Sequence, residues 1–454
     1  MMKWGLLALV VIHIVISSAA AVRAQDALSS IFIAETIHSR TLGEERPLSI
    51  YLPEDYATSG KSYPVLYLLD GESHIFHVTG LVKYLVSVGR IPELIVVGIH
   101  SIDRYRDYTP DEIEHHPGTG GAAHFTGFLT EELFDHIESS YRTRPFRIIF
   151  GHSYGGTYVT HIFLNEPGMF GGYVAASPNL LVLDDVLGEF ETRFAQPDTG
   201  RQMIFLTVGE YETDFMTLAS DLAARASDKP QARRLWNYQI LAQDNHASTP
   251  HKTVYFGLET IFKGFWQFDS ETDGPALVEQ FRTLSDRLGY DVEIPLPVLV
   301  SLGNSALGSE RLDQAQSIFE MVVESYPESE WGYVSLGSVH YSKEDMDRAA
   351  MYFGMALSIN PDNPYTLDML RALTPQSEAI QESEGEQLLA LWHKYRTERS
   401  EISEGDDYDM GFQKGYESPP GLVDGSPDFN LGHSDGMQAR MGVYPGKSAP
   451  GDGE

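Results

Sequence analysis

A serine set between glycines is the strongest chemical signal in the sequence. The hexapeptide Gly-His-Ser-Tyr-Gly-Gly at 151–156 directly follows the apolar run Ile148–Phe150 and precedes an apolar stretch at 157–164. A serine at such a strand-to-helix turn must adopt a strained backbone, and the flanking glycines remove side chains that would collide there. The N-terminus of the following helix would favour negative charge that develops beside the hydroxyl. The pattern therefore predicts Ser153 as a catalytic nucleophile.

A carboxylate that could orient a catalytic histidine is expected after a later strand. In turns of this type the acid, and then the histidine, follow the serine along the chain. The apolar run Met203–Val208 leads into Gly209 and a loop with three carboxylates, Glu210, Glu212 and Asp214. Spacing alone leaves all three open as the acid, and they could also form a solvated acidic loop.

The histidine that would act as the base is expected one strand further on. The strand-like run Leu235–Leu241 is followed by Gln-Asp-Asn-His at 243–246 and then by the last helix of the domain. Because this loop is where the fold would deliver its base, we predict His246 in that role, with His251 as the alternative. His152 adjoins the nucleophile, and we interpret it as a lining or packing residue.

An oxyanion that forms during attack on an ester needs two N–H donors aimed at one point. One donor is expected from the backbone of Tyr154, the residue after the nucleophile, and the other from the loop after the run Val65–Leu69.

The sequence contains no HExxH motif, no paired cysteines and no Walker-type loop. It therefore gives no support for metal-dependent or nucleotide-dependent chemistry.

The elements that must position these residues are those of an α/β domain. Between Ile31 and about Phe268, short apolar runs alternate with longer segments of helical periodicity, which indicates a mostly parallel sheet covered by helices. Apolar residues at helical spacing predict a helix over 125–141. The predicted strands are 47–52, 65–69, 94–99, 147–150, 203–208 and 235–241.

Several motifs around these elements resemble the esterase D family. They lie at Tyr63–Gly71, Arg104–Pro110, Gly120–Ala122 with Phe125, Phe170–Gly171, Ala176–Pro178, and Gly257–Leu258 with Phe262. That family includes S-formylglutathione hydrolases, feruloyl esterases, siderophore esterases and mycolyltransferases. The likeness runs from about residue 37 to residue 262 and is greatest to the siderophore-esterase-like branch. The resemblance implies an α/β-hydrolase fold and a serine esterase that needs no cofactor.

The same resemblance reduces the number of candidates for the acid and for the second oxyanion donor. It places the acid three residues after Gly209, which implies Glu212, and it assigns the second oxyanion donor to the backbone N–H of Glu72. Four more side chains are expected on loops at this sheet edge, where they would shape a substrate pocket or pin the loops: Arg104, Tyr108, His74 and Tyr211. Two alternatives stay open, namely acyl transfer by the same residues and an interaction protein whose hydrolase domain is inactive.

A 34-residue repeat follows the α/β domain. Its matched pairs are Leu302 and Leu336, Gly303 and Gly337, Ala315 and Ala349, Phe319 and Phe353, and Pro327 and Pro361. Small residues at these positions let two antiparallel helices approach closely, and the pattern resembles the tetratricopeptide repeat. Helices over 365–373 and 384–395 would cap the stack, which we expect to dock on the hydrolase domain or to bind a protein segment.

The N-terminus predicts export. Lys3 precedes an apolar run at 5–16 and a small-residue stretch at 17–24, the pattern of a secretory signal peptide cleaved after Ala24 or Ala21. The apolar run is too short to cross a hydrocarbon core of about 30 Å, so a membrane span is not expected. The chain has 454 residues and no cysteine. Its net charge of −33 would repel the phosphates of nucleic acid, so nucleic acid is not expected as a partner.

These observations divide the chain into five expected parts. They are a signal peptide (1–24), a hydrolase domain (25–268), a linker (269–295), tetratricopeptide-like helical repeats (296–395) and a disordered acidic tail rich in glycine and proline (396–454). The expected ligand is a small-molecule ester.

Overall fold

The computed structural model describes residues 31–373, apart from residues 167, 196–201, 230, 231, 233, 234 and 270. The predicted signal peptide at 1–24, the second capping helix at 384–395 and the tail at 396–454 lie outside the described residues. Within the described residues, no helix combines the length and the apolar character that a membrane crossing requires.

The first part of the chain is built on one sheet. Its strands are β1 (Ile33–Ser39), β2 (Glu44–Tyr51), β3 (Tyr63–Leu68), β4 (Ile95–Ile99), β5 (Thr143–His152), β6 (Gly172–Ala176), β7 (Met203–Gly209) and β8 (Trp236–Leu241). They form an eight-stranded sheet in the order β1-β2-β4-β3-β5-β6-β7-β8. β2 pairs antiparallel with β1 and with β4, and the strands from β3 to β8 run parallel. The mostly parallel sheet confirms the predicted α/β class.

Both faces of this sheet are covered. Alternate residues of β3 belong to two separate cores, with Val65 and Tyr67 in one and Leu66 and Leu68 in the other. Since successive side chains of a strand point to opposite faces, a strand that is buried on both faces needs a continuous apolar run. This requirement explains why the central strands could be recognised in the sequence.

Helices follow most of the strands. In chain order they are α1 (Tyr56–Ser59), α2 (Gly71–Ser87), α3 (Arg104–Asp107), α4 (Ala122–Phe128), α5 (Phe134–Ser140), α6 (Tyr154–Asn165), α7 (Val186–Ala195), α8 (Thr213–Asp228) and α9 (Thr249–Ile261). A π-helical turn at Leu129–Leu133 joins α4 to α5, so the helix predicted over 125–141 is present with a wider turn inside it.

The segment expected to be a linker contains a helix. α10 (Gly274–Leu288) begins after Asp273, whose side chain accepts a hydrogen bond from the Ala276 N–H, and it ends before Gly289 in the left-handed conformation. The buried residues of α10 are Gly274, Leu277, Phe281, Leu284 and Leu288, and most of them follow helical spacing. That spacing was visible in the sequence, so the linker assignment at 269–295 is wrong for most of its length.

The chain continues only with helices: α11 (Leu296–Gly308), α12 (Leu312–Ser325), α13 (Glu330–Ser342), α14 (Met346–Ile359) and α15 (Pro364–Leu373). A Cβ atom at Gly303 would overlap the ring of Phe319, and one at Gly337 would overlap the ring of Phe353. The two helix pairs therefore meet at equivalent places of the 34-residue repeat. A helical region is confirmed here, while its assignment to the tetratricopeptide class and a protein partner for it stay predictions.

The helical region packs against the sheet domain near the beginning of β5. Phe146 contacts Phe262 and Tyr290, with ring centroids 6.1 and 6.2 Å apart. Arg144, also in β5, lies 3.8 Å from the carboxylate of Glu293. One apolar core runs from Phe146 through α9 and α10 into α11 and α12. The expected docking of the helical region on the sheet domain is therefore present in this structure.

Candidate active site

Residues predicted to act in catalysis follow neighbouring strands at one edge of the sheet. Ser153 follows β5, Glu212 follows β7, and His246 follows β8. The carboxyl ends of parallel strands meet at the same edge, which is where ligands bind in open α/β sheets. β6 lies between β5 and β7, and Ser177 is the residue that follows it.

Ser153 lies at a sharp turn between β5 and α6. Its backbone has φ 59° and ψ −120°, a conformation that is uncommon for a residue with a side chain. The Ser153 N–H donates to the Ala176 carbonyl at 2.9 Å, which ties the turn to the next strand. A Cβ atom at Gly151 would overlap the Gly155 carbonyl, so the turn requires glycine at position 151. Such strain is typical of a nucleophile turn.

Glu212 and His246 are in direct contact. Nδ1 of His246 lies 2.6 Å from Oε1 of Glu212. The other carboxylate oxygen accepts hydrogen bonds from the Ser177 hydroxyl and from the Gly209 N–H, each at 2.6 Å. Burial opposes ionisation of Glu212, but the hydrogen bonds from these three partners outweigh it and hold the pKa of the carboxyl below its usual value. Glu212 is therefore a fixed, ionised neighbour of the histidine.

The other residues considered for these two roles lie elsewhere. Glu210 is exposed and accepts a hydrogen bond from the Gln243 N–H at 2.8 Å. Asp214 is exposed in the first turn of α8. His251 is also exposed, and its Nδ1 lies 3.4 Å from Nδ1 of His77. Of the three carboxylates, Glu212 is the one in contact with His246.

The two predicted oxyanion donors lie in first turns of helices. Glu72 is the second residue of α2, and Tyr154 is the first residue of α6. The N-cap side chains, Asp70 and Ser153, make no capping hydrogen bond, and N–H groups in a first turn have no partner within the helix. Because β3 and β5 are neighbours, both helix N-termini lie at the same sheet edge. The side chain of Glu72 turns aside and accepts from the Ser101 N–H at 3.0 Å.

Arg104 and Tyr108 hold the loop after β3. The Arg104 guanidinium donates to both carboxylate oxygens of Asp70, at 3.2 and 3.0 Å, and to the His152 carbonyl at 3.3 Å. Burial raises the pKa of Asp70, although Arg104 acts in the opposite direction. Tyr108 is fully buried and its hydroxyl accepts from the Asp70 N–H at 3.3 Å. Of the two roles expected for Tyr108, its buried side chain has the contacts of a residue that pins the loop, and a contact with substrate stays a prediction.

The remaining predicted pocket residues differ in exposure. His74 is buried, with its Nδ1 2.9 Å from Nε2 of His77, and burial is the main reason why its pKa falls to about 3. Tyr211 is 67% exposed, so its ring is available to a ligand. His74 is thus a packing residue of the site wall, and a substrate contact by Tyr211 stays a prediction.

Ser177 and Thr249 are site residues that the sequence did not reveal. The Ser177 hydroxyl contacts Glu212 and lies 2.7 Å from the Thr249 hydroxyl in the first turn of α9. Ser177 belongs to the Ala-Ser-Pro motif used for the family resemblance, and its position directly after a strand was an available signal. Thr249 offered none, because its role depends on a partner that is 72 residues away in sequence.

Comparisons with known proteins find esterases among the relatives of this chain. Residues 39–261 match the family model described as "Putative esterase". The chain is 36% identical over 143 residues to the Ferri-bacillibactin esterase BesA of Bacillus subtilis (strain 168), a match that covers 26% of this chain and 48% of that protein. The chain therefore spans about half the length of this curated relative.

Two solved structures share the fold. An IroE-like serine hydrolase from Shewanella oneidensis superposes with a TM-score of 0.52 at 25% identity, covering 72% of this chain and 99% of that chain. An uncharacterised protein from Capnocytophaga ochracea DSM 7271 superposes with a TM-score of 0.55 at 17% identity, covering 80% of this chain and 99% of that chain. The second likeness concerns the fold alone.

The mostly parallel sheet with its serine turn, followed by a helical region, gives the class of fold, and this fold is similar to that of the IroE-like serine hydrolase. More particularly, the family match and the relatives support an esterase at residues 39–261.

Proposed function

We propose that this chain is a serine esterase that hydrolyses carboxylic esters through an acyl intermediate on Ser153. The observation that carries the proposal is the 2.6 Å contact between His246 Nδ1 and Glu212 Oε1, at the sheet edge where the strained Ser153 turn lies. An ionised carboxylate can only accept a hydrogen bond, so Nδ1 carries the proton and Nε2 is left as the base. This pairing fixes the histidine tautomer that a serine nucleophile requires.

In the first half of the reaction, His246 Nε2 takes the hydroxyl proton of Ser153 while Oγ bonds to the ester carbonyl carbon. The carbonyl oxygen becomes an oxyanion that the N–H groups of Tyr154 and Glu72 stabilise, and Glu212 stabilises the imidazolium. The tetrahedral intermediate then loses the alcohol, which leaves with the proton from His246. Water attacks the acyl group by the same steps in the second half, releasing the carboxylic acid and free Ser153.

A fluorophosphonate probe tests this proposal directly. We expect the wild-type protein to take up one probe molecule on Ser153 and to hydrolyse an activated aryl ester, and we expect the Ser153→Ala variant to do neither. A folded wild-type protein that neither takes up the probe nor hydrolyses the ester would overturn the proposal. Release of the acyl group onto an added alcohol, in place of water, would identify an acyltransferase and would also overturn it.

The proposal extends to the class of ester. The relative from Bacillus subtilis is named as a ferri-bacillibactin esterase, and the match includes 36% identity over 143 residues. We therefore propose a small-molecule ester of the siderophore type as the substrate. Chromatography of ferri-bacillibactin incubated with the wild-type protein and with Ser153→Ala would detect the opened ester, whereas equal hydrolysis by both proteins would contradict this assignment.

We also propose that the protein is exported and is cleaved after Ala24 or, as the alternative, after Ala21. The support is the short apolar run at 5–16, bounded by Lys3 and by small residues. Mass spectrometry of the protein made from the full sequence in a bacterial host should find Gln25 or Val22 at the N-terminus in the exported fraction. A protein that keeps Met1 and stays in the cytosol would contradict export.

A further inference from the structure

The backbone carbonyl of His246 precedes the regular hydrogen bonds of α9, because His246 lies two residues before the N-cap Ser248. The residue four positions later is Pro250, which has no N–H to offer. The N–H of Thr249 donates instead to the Asn245 carbonyl at 3.2 Å. The carbonyl therefore needs a donor from another part of the chain.

His152 provides this donor. Its Nε2 lies 2.8 Å from the His246 carbonyl oxygen, and because a carbonyl only accepts, Nε2 carries the proton. The Thr249 hydroxyl is 3.3 Å from the same oxygen, but it is only 2.7 Å from the Ser177 hydroxyl. Ser177 gives its own proton to Glu212 and can accept the one from Thr249. His152 thus makes the shorter hydrogen bond to the His246 carbonyl.

The rings of the two histidines are also in contact. Their centroids are 4.6 Å apart, and the His74 ring lies 5.9 Å from His152. Burial is the main reason why the pKa of His152 falls to about 4, and the proximity of the His246 ring and of Arg104 acts in the same direction. The hydrogen bond to the His246 carbonyl and the carboxylate of Glu212 act in the opposite direction. His152 is therefore neutral at pH values where a histidine base works, and its hydrogen bond comes from an uncharged N–H.

We propose that His152 is a positioning residue that fixes the backbone of the catalytic base through the His246 carbonyl. The inference rests on the proposed serine esterase function. Since Glu212 holds the His246 ring from one side, His152 would hold the same residue through its main chain and its ring face. The base would then stay aligned without reorganisation when Ser153 attacks.

Two variants separate the hydrogen bond from the ring. His152→Phe keeps a planar ring but loses the donor, and His152→Gln loses the ring but can place an amide N–H near the Nε2 position. We expect His152→Phe to lower kcat by about tenfold or more with KM nearly unchanged, because one preorganising hydrogen bond is lost. We expect His152→Gln to keep kcat within about threefold of the wild type, since the donor is retained.

Controls keep the test specific. His161→Phe removes a histidine from the outer part of α6 and should leave kcat unchanged, and thermal unfolding should show that all variants are folded. If His152→Phe does not fold, His152→Leu takes its place with the same readouts. The kcat/KM profile between pH 5 and 8 should have the same inflections in His152→Gln as in the wild type, and an inflection that disappears with His152 would contradict the role of an uncharged donor.

The outcomes distinguish this inference from the proposed function. A wild-type protein without esterase activity would overturn the function and, with it, this role. An active wild type with His152→Phe at full activity, or with His152→Gln as impaired as His152→Phe, would overturn the role of the hydrogen bond alone.

Discussion

Three neighbouring carboxylates follow β7, and their contacts differ. Glu212 accepts from His246, Ser177 and Gly209, whereas Glu210 and Asp214 face solvent. Converting the acid to its amide would remove the charge that stabilises the imidazolium and would disturb the tautomer of the base. The three residues can therefore be told apart by single substitutions.

We expect Glu212→Gln to lower kcat by at least about a hundredfold. Glu210→Gln and Asp214→Asn should stay within about tenfold of the wild type and serve as matched controls. Steady-state kinetics on an activated ester would measure all three. A severe effect of Glu210→Gln together with a mild effect of Glu212→Gln would show that the acid has been misassigned.

How far the sequence predicts the site depends on the kind of contact. Ser153 and His246 could be placed because each follows a strand, and the apolar run that marks such a strand is visible in the local sequence. The choice among the three carboxylates needed a family resemblance, since alternate residues of a loop point in similar directions. The contact between His152 and His246 joins residues 94 apart in sequence, and no local pattern records it.

Glycine at position 151 is a requirement of the turn between β5 and α6. Its missing side chain leaves room for the Gly155 carbonyl, so we expect Gly151→Ala to displace Ser153 and to destabilise the domain by about 2 kcal/mol or more. Gly80→Ala is the matched control, because Gly80 lies inside α2 with nothing within 4 Å of a new Cβ atom. It should stabilise the protein by up to about 1 kcal/mol. Chemical denaturation would measure both, and a neutral Gly151→Ala would contradict the steric reason.

Three elements, β1, β6 and α10, were not predicted from the sequence, and each has a physical property that explains why. β1 is an edge strand with a partly exposed, mixed composition, Ile-Ala-Glu-Thr-Ile-His-Ser, and its pairing with β2 decides its conformation. β6 is only five residues long and contains glycine and alanine, so its apolar character is weak although every residue is buried. α10 has a clear helical spacing of apolar residues, but it directly follows a polar, acidic segment whose composition is typical of a linker.

The helical region and the sheet domain share one core, and this predicts that they are stable only together. Ending the chain at Thr272 would expose Phe146, which packs against Tyr290 after α10, and Phe265, which packs against Phe281 of α10. We expect the shortened protein to lose several °C in Tm and to aggregate, because a contiguous apolar surface would face water. Ending the chain at Arg396 is the control and should leave Tm and activity nearly unchanged. A fully stable, fully active protein ending at Thr272 would contradict the shared core.

One buried and two half-buried histidines make the stability of the whole molecule depend on pH. Burial lowers the pKa of His74 to about 3 and those of His77 and His152 to about 4, whereas an unfolded histidine titrates near about 6.5. Between about pH 6.5 and pH 4 the unfolded chain therefore binds more protons than the folded chain, so stability falls as the pH falls. Each such histidine adds a slope of up to about 1.4 kcal/mol per pH unit.

Chemical denaturation at pH values between 5 and 7.5 would measure this slope. We expect His74→Leu to flatten it, because one depressed titration disappears, and His124→Gln to leave it unchanged, because His124 is exposed. Stability that rises as the pH falls through this range would contradict the burial of these rings.

The place where the helical region meets the sheet has a practical consequence for attaching the enzyme to a solid support. Phe146 lies six residues before His152 along β5, which puts the contact with the helices about 20 Å from the strand end beside Ser153. The chain has no cysteine, so a single Asp362→Cys substitution would create its sole thiol, on an exposed residue between α14 and α15. Coupling through that thiol should orient every immobilised molecule alike, with the helices towards the support and the sheet edge that carries Ser153 towards the solution.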